Sequence, residues 1–413
     1  MRKIVFLFLV LSLFACQKLQ ADKPTETKTN LKKVELRMWL VGAESQAKTI
    51  NKLARIFTQK TGIKVHCEAI SWGQAHSKYL TSIAGDVVPD IGTMGLTWGT
   101  EFGSLGAMVD LAKDFQKDLN NIKADVFPGM WKSIEYKNQV FGIPFDLSEH
   151  ILYYRTDLIK NPPATWQDLQ KILQDLAKEK KGMIFDWGTL EWIGFAPFLW
   201  QAGGDFYNTD GTKCMLNSPE AQIALVFFSQ LYTKYNVPKT KIPVEQGMRT
   251  GDFPMAISGN WKILSLTLFA PEIAGRWSIA FLPAGPTGKH TAFIGGRIMG
   301  IFKKSKNKRE AWEFIKFLFS PEIQNKLYEE AKLEEDSYLP PNIKTWDTLS
   351  MEEKFRQVLK NQALDAKGPP SILGWDVSTR LIDEVVQRVV LENKSAKEEL
   401  SKVTLELDKL IKN

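Results

Sequence analysis

From Val34 onward the chain alternates between two hydrophobic rhythms. Val34, Leu36 and Met38 take every second position, the period of a strand with one buried face. Ile50, Leu53, Ala54 and Phe57 then fall at i, i+3, i+4 and i+7, which predicts a helix stopped by Thr61-Gly62. Ile63, Val65, Cys67 and Ala69 return to period two, completing a β-α-β unit, the building block of a parallel sheet covered by helices. The same grammar continues with clear punctuation. Thr165-Trp166-Gln167-Asp168 reads as a capping box opening a helix over 166–180. Ser218-Pro219-Glu220 and Ser320-Pro321-Glu322 each set a cap, an N1 proline and a dipole-matched acid before an apolar run. Leu381, Val385 and Val389, then Leu400, Val403, Leu407 and Leu410, predict one or two long helices over 378–412.

Before Val34 the pattern differs. Arg2-Lys3 precedes an apolar run from Ile4 to Phe14 that is too short to cross a bilayer as a mature helix, so residues 1–15 read as a signal peptide. The run ends in Leu13-Phe14-Ala15-Cys16, which resembles the bacterial lipobox, with Phe14 bulkier than that pattern usually shows. The resemblance implies cleavage before Cys16 and lipidation of its thiol; an ordinary secretory leader is the competing account. Residues 16–33 are then the lipid anchor and a flexible tether, because the Lys- and Thr-rich stretch 17–33 has too few apolar residues to order itself. Two or three acyl chains on one cysteine suffice for lasting membrane attachment.

Composition narrows the function. The formal net charge is +7, or +5 once Arg2 and Lys3 leave with the leader, and no basic cluster or nucleic-acid motif accompanies it, so no nucleic-acid partner is expected. The remaining length exceeds one comfortable core and points to two domains. Cys67 and Cys214, the two cysteines after Cys16, are too few for a disulfide framework, and both are expected as buried thiols. The four histidines, at 66, 76, 150 and 290, lack metal-ligand spacing, and neither G-x-S-x-G nor a P-loop is present, so no metal or cofactor is expected. A glycosidase remains the enzymatic rival, since its carboxylate pair has no fixed spacing.

The motifs in order resemble the family-1 extracellular solute-binding proteins, the maltose-binding-protein-like receptors of carbohydrate ABC importers. The carriers are Ser71-Trp72-Gly73-Gln74, Gly85 to Ile91 with Pro89-Asp90, Gly106 to Leu111, and Gly142-Ile143-Pro144 with Leu152 to Leu158. They continue through Pro163 to Trp166, Gly203-Gly204, Gly251 to Trp261, Gly295-Gly296, and Ala311 to Glu322. Arg155 and Asp252 stand where the family often has Asn and Lys, and Cys67 is unusual in such a strand. The resemblance implies a two-lobed α/β periplasmic-binding-protein fold, each lobe a sheet flanked by helices, joined by three crossings. These are placed near 143–147, 286–292 and 336–341, where Pro and Gly set or absorb backbone angles. One lobe then combines 34–144 with 290–337, the other 146–287 with 340–413. The implied partners are a sugar and the permease of an ABC importer, with the protein acting as a monomer.

A sugar needs aromatic rings for its C–H faces and carboxylates, amides or Arg for its hydroxyls. The chain has 13 tryptophans. Core packing accounts for Trp312, and for Trp131 and Trp200; Trp39, Trp72, Trp98, Trp187, Trp192, Trp261 and Trp375 sit instead beside Gly, Pro or polar residues. The family motif carries Trp261 and Trp72 to the cleft, and Trp375 lies in a Gly-Trp-Asp loop. Glu44, Gln74, Asp146 and Asp205 are the hydroxyl-binding candidates, each on a predicted loop at a strand's carboxyl end. Gly295 and Gly296 would let backbone approach a ligand, or make a tight turn, and Arg297 would donate to it. A polyamine, glycerol phosphate or oligopeptide in the same fold is the alternative ligand, and sensing or adhesion the alternative role.

Overall fold

Leu36 and Met38 are fully buried in the strand Glu35–Val41 of a computed structural model that describes residues 34–412, while Glu35 and Arg37 face water. The signal peptide over 1–15, the lipidation of Cys16 and the tether over 16–33 lie outside the described residues. The helix Glu44–Thr61 buries Ile50, Leu53, Ala54 and Phe57 and ends where Gly62 takes a φ of 76°, the left-handed exit that glycine adopts without steric cost. Lys64–Ile70 returns parallel to the first strand. Thr165 and Asp168 form the capping box, and Ser218 Oγ accepts from the Ala221 N–H at 3.1 Å. Ser320 departs from expectation: its hydroxyl donates back to the Phe317 carbonyl of the helix that ends at Phe319, although the next helix still begins at Pro321. The C-terminal periodicity resolves into two helices, Trp375–Leu391 and Ala396–Lys412.

Two sheets define two lobes. The first runs in the order Lys64–Ile70, Glu35–Val41, Ile91–Gly95, Arg297–Ile301, Ile143–Pro144, with its first three strands parallel and its last two pairings antiparallel. Pro144 sits on the edge strand, where a missing N–H costs no ladder bond. The second runs Trp277–Ala280, Ser148–Arg155, Met255–Gly259, Met183–Phe185, and Ile294–Gly295 pairs with the start of its longest strand. The helices Trp192–Gln201 and Pro219–Thr233 cover this sheet through Phe198 and Phe228, whose rings meet Phe185.

Two of the three expected crossings move. The first lies at 145–147, between Ile143–Pro144 in one sheet and Ser148 in the other. The second is at Gly296, not 286–292, because Ile294 and Gly295 pair with Glu149 and Ser148 while Arg297 already pairs with Gly95. The glycines near 286–292 make a turn instead, in which Gly288 N–H bonds the Gly285 carbonyl. Residues 336–341 run beside the first crossing, with Leu147 N–H on the Leu339 carbonyl, and the chain then stays on the first lobe. There Asn342 bridges Val126, and Trp346 packs edge-on against Phe127. The third crossing follows, before Phe355 stacks on Trp277 of the second sheet. Cys67 and Cys214 are both unbridged and buried. Burial pushes the Cys67 thiol up to about 12, which removes its thiolate reactivity.

Candidate ligand cleft

A cavity of about 690 Å³ opens where the lobes meet, within the size range of small-molecule sites. Its second-lobe wall is a continuous run of rings. Trp261 meets Trp187 at 4.8 Å between centroids, Trp187 meets Phe293 at 5.1 Å, Phe293 meets Trp192 at 5.5 Å, and Trp192 meets Trp375 at 4.9 Å. All are edge-on contacts, with interplanar angles of 63°, 85°, 79° and 86° in that order, the arrangement that the ring quadrupole favours. The wall is braced from below by His150, 4.6 Å from Trp187, whose Nε2 donates to the Trp187 carbonyl at 2.9 Å. Burial lowers the His150 pKa to about 3, so the ring is neutral. Trp261 lies over its own strand: a Cβ on Gly259 would fall 2.0 Å from the indole, so only glycine leaves room for that orientation.

Every tryptophan whose indole N–H is paired lies outside the cavity. Trp131, Trp166, Trp200, Trp312 and Trp346 each donate the indole N–H to a protein acceptor, and none lines the cavity. Trp72, Trp187, Trp192, Trp261 and Trp375 all line it and donate to nothing among the described residues; Trp39, Trp98 and Trp277 are likewise undonated outside it. Trp375 is only 3 % exposed, yet it lines the cavity.

The cavity floor, at the crossings, is polar and internally paired. Asp146 follows the first crossing strand and Arg297 follows the second. Arg297 N–H and Nε bond Asp146 Oδ1 and Oδ2 at 2.7 and 2.9 Å, with Nη2 also on Oδ2. Arg297 Nη1 reaches Gln46 Oε1 at 2.8 Å and the Val41 carbonyl, and the guanidinium lies over Phe145. Gln46 passes the chain on, donating to Asp336 Oδ1 at 3.0 Å, while Asp336 Oδ2 accepts from Ser45. Gly296 makes this possible, since a Cβ there would meet the Asp146 carbonyl oxygen at 2.2 Å.

Among the sequence candidates, Trp261, Trp72, Trp375, Asp146, Gly295, Gly296 and Arg297 come together around the cavity. Three of the predicted contacts do not. Glu44 sits on the outer groove beside Lys48, Arg55 and His66, while Gln46, two residues on, reaches the cavity. At about 100° per residue, positions i and i+2 of a helix point to opposite sides. Gln74 is turned away from Trp72 by the same rotation, and its side chain accepts from Ser71 Oγ. Asp205 is held by the Trp200 indole at 3.0 Å and Lys367 at 3.1 Å, away from the cavity. The expected roles of Arg297 and Gly296 change too: the guanidinium is spent on Asp146, Gln46 and Val41, and the glycine serves strand approach. Trp375 begins a helix rather than lying in a loop.

The sequence matches the family model described as bacterial extracellular solute-binding protein over residues 52–354. The chain belongs to that family. As a solute-binding protein it is 24% identical over 387 residues to a putative binding protein of Brucella abortus, covering 86% of this chain and 88% of the relative. It is 24% identical over 340 residues to the maltooligosaccharide ABC transporter solute-binding lipoprotein of Streptococcus pneumoniae, covering 77% and 76%. It is 23% identical over 311 residues to the diacetylchitobiose binding protein DasA of Streptomyces coelicolor, covering 71% of each. The solved structure of the sugar-binding protein MalE from Xanthomonas citri shares the fold, with a TM-score of 0.82, 24% identity and coverage of 92% of this chain and 97% of that one. The family thus explains the two lobes and the cleft between them.

Sequence reasoning about this solute-binding protein missed Gln46, Asn260, Phe293 and Asp336 in the cavity lining. Trp187 and Trp192 carried a signal, their flanking Gly and polar residues, but their place in one wall with Trp261 depends on three separate strands and helices meeting. Asn260 had a signal as well, in Ser258-Gly259-Asn260-Trp261. Its Oδ1 accepts from the Glu149 N–H at 2.9 Å, which ties the Trp261 turn to the strand after the first crossing.

Proposed function

We propose that this protein is the substrate-binding component of an ABC importer, exported and lipid-anchored at Cys16, which captures a neutral sugar or oligosaccharide between its lobes and delivers it to a membrane permease. The observation that carries this reading is the division of the cleft into an aromatic wall with unspent indole N–H groups and a polar floor whose charges are already paired. A sugar presents C–H faces to the rings and hydroxyl oxygens to the indoles. A polyamine would pair each of its several ammonium groups with a carboxylate beside the rings, and of the acids lining the cavity Asp146 and Asp336 are committed to Arg297, Gln46 and Ser45, which leaves Glu335 alone. A phosphate would need a free cation, and Arg297 is spent. The relatives named for maltooligosaccharide and diacetylchitobiose support the sugar class. No reacting group is required for this role; the protein acts by binding, with its ligand favouring the closed arrangement of the lobes.

Tryptophan-fluorescence titration tests the proposal with maltose, maltotriose, lactose, N,N′-diacetylchitobiose, spermidine and glycerol 3-phosphate. Saturable binding of at least one sugar is expected. Saturation by spermidine or glycerol 3-phosphate alone would sink it, and turnover of a glycoside well beyond one equivalent would restore the enzyme reading. Lipidation is checked separately: Cys16→Ser should release the protein from the membrane fraction.

A further inference from the structure

Three consecutive acids, Glu334, Glu335 and Asp336, close the helix Pro321–Leu333 at the edge of the cavity. Glu334 is held by Lys48 and Lys52, both at 2.8 Å, which lower its carboxyl to about 2. Asp336 is held by Ser45, Gln46 and the Ser337 N–H. Glu335 lines the cavity, is exposed, and has no hydrogen bond or ion pair to its carboxylate among the described residues.

The backbone makes that solitary carboxylate costly. Glu335 N–H bonds the Lys332 carbonyl at 3.2 Å and Asp336 N–H bonds the Ala331 carbonyl at 2.8 Å, the paired closure in which the residue just past the helix turns left-handed. Glu335 accordingly takes a φ of 54°, a conformation natural to glycine and disfavoured by a Cβ. An acid at a helix C-terminus also faces the negative end of the dipole. Other helix exits in the chain respect both rules. Gly62 and Gly251 take the position without a Cβ, Lys180 brings a favourable charge, Asn393 a tolerant side chain, and Asp86, the other acid, is neutralised by Lys304 at 3.0 Å. Among the described residues Glu335 alone combines an unfavourable conformation, an unfavourable charge and no partner.

We propose that Glu335 is a ligand-binding residue, the one uncommitted carboxylate of the cleft, held out to accept hydrogen bonds from sugar hydroxyls opposite the aromatic wall. The inference rests on the sugar reading and gives it its missing half: the indole groups donate to hydroxyl oxygens, and Glu335 accepts the hydroxyl protons that would otherwise lose water without replacement. Local stability is given up at this exit for a charge whose use is outside the fold.

The test compares Glu335→Gly and Glu335→Gln with the wild type, measuring the unfolding temperature and the affinity for whichever sugar of the six-compound panel binds. Glu335→Gly should raise the unfolding temperature by about 1–3 °C, because it removes both local penalties. It should also weaken sugar binding by roughly 10-fold, the loss of one charged acceptor. Glu335→Gln keeps the shape and should lose affinity without gaining the full temperature rise. Unchanged affinity in both variants overturns the inference, as does a fall in the unfolding temperature of Glu335→Gly, which would make the carboxylate structural. If the wild type binds no sugar, the sugar reading fails. The unfolding temperature of Glu335→Gly then still judges the exit: a rise supports a carboxylate kept for use outside the fold, and a fall overturns it.

Discussion

The two sides of the cleft are built on opposite principles. The second-lobe wall is rings packed against rings, braced by a neutral buried histidine, with its hydrogen-bonding capacity left open. The floor is made of polar groups already paired with one another through Asp146, Arg297, Gln46 and Asp336, with Glu335 left open at its first-lobe rim. A preassembled wall holds its shape without ligand, so it loses little entropy on binding. A paired floor cannot donate its charges without breaking its own bonds, so it serves to fix the crossings between the lobes. Binding and the joining of the lobes are thus separated by chemistry, and substitutions on the two sides should fail in different ways.

The largest effect is expected on the floor. Arg297→Gln leaves Asp146 buried without its cation, and breaking such a pair typically costs about 3–5 kcal/mol. Denaturant unfolding should show this loss directly, with or without ligand. Replacing Asp146 by Asn in the same protein should restore part of it, since both charges are then gone. If the single variant is destabilised by less than about 1 kcal/mol, the floor is not the structural element described.

On the wall the loss should appear in affinity. Trp187 touches Trp261, Phe293 and His150, so Trp187→Ala removes the centre of the surface and is expected to cost about 2–4 kcal/mol of binding. Trp72 belongs to the first lobe, is 50 % exposed, and touches only Trp98 among the rings. Trp72→Ala should cost about 1 kcal/mol. Calorimetric titration of both variants with the same sugar checks the order; a larger loss at Trp72 would reverse the assignment of the aromatic wall to the second lobe. Gly259→Ala sharpens the point, because it displaces the Trp261 ring without deleting it.

What the sequence disclosed, and what it did not, follows the same division. Elements were legible because their causes are local: the alternation at Leu36 and Met38, the Gly62 exit and the Thr165–Asp168 box each act within a few residues. The wall was half legible, since Trp261 and Trp72 carry family motifs, whereas Phe293 has no mark until the second crossing sets it beside Trp187. The floor was legible as residues and not as roles. The sequence marks Asp146 and Arg297 as separate ligand contacts, and only the meeting of the first crossing with a strand 151 positions away shows that they bind each other. The crossings failed for a related reason: Gly and Pro mark any turn, and those at 286–292 turn within one lobe.

The brace beneath the wall gives a pH signature. His150 ionises near 6.5 when unfolded and at about 3 when folded, so the unfolded chain binds more protons between those values. Its contribution is fully present above about 6.5 and is lost as pH falls, by about 1.4 kcal/mol per unit. Its neighbour Glu149 has the opposite sign. Burial raises that carboxyl well above 4.5, neither oxygen has a partner among the described residues, and stability is lost as pH rises from there. Unfolding measured from pH 3 to 9 should therefore show two limbs, an acid one below about 4.5 and an alkaline one above about 6.5, with the two slopes offsetting between. His150→Gln should flatten only the acid limb and Glu149→Gln only the alkaline one; a variant that shifts both limbs equally would break the assignment.

The smallest effect tests the geometry of one helix turn. Glu44 and Gln46 lie two residues apart on the helix Glu44–Thr61, and sequence reasoning chose the first while the fold presents the second. Gln46 bridges Arg297 and Asp336, so Gln46→Ala removes two hydrogen bonds from the floor and should cost about 1 kcal/mol in stability and a smaller share in binding. Glu44→Ala should stay within about 0.5 kcal/mol on both counts, as an exposed substitution away from any packed contact. Because the two residues share a helix, a start and a chemistry of similar size, the difference between them measures only which way each points. Equal effects would mean that the floor tolerates the loss of its bridge, and that the separation between a paired floor and an open aromatic side is weaker than the contacts imply.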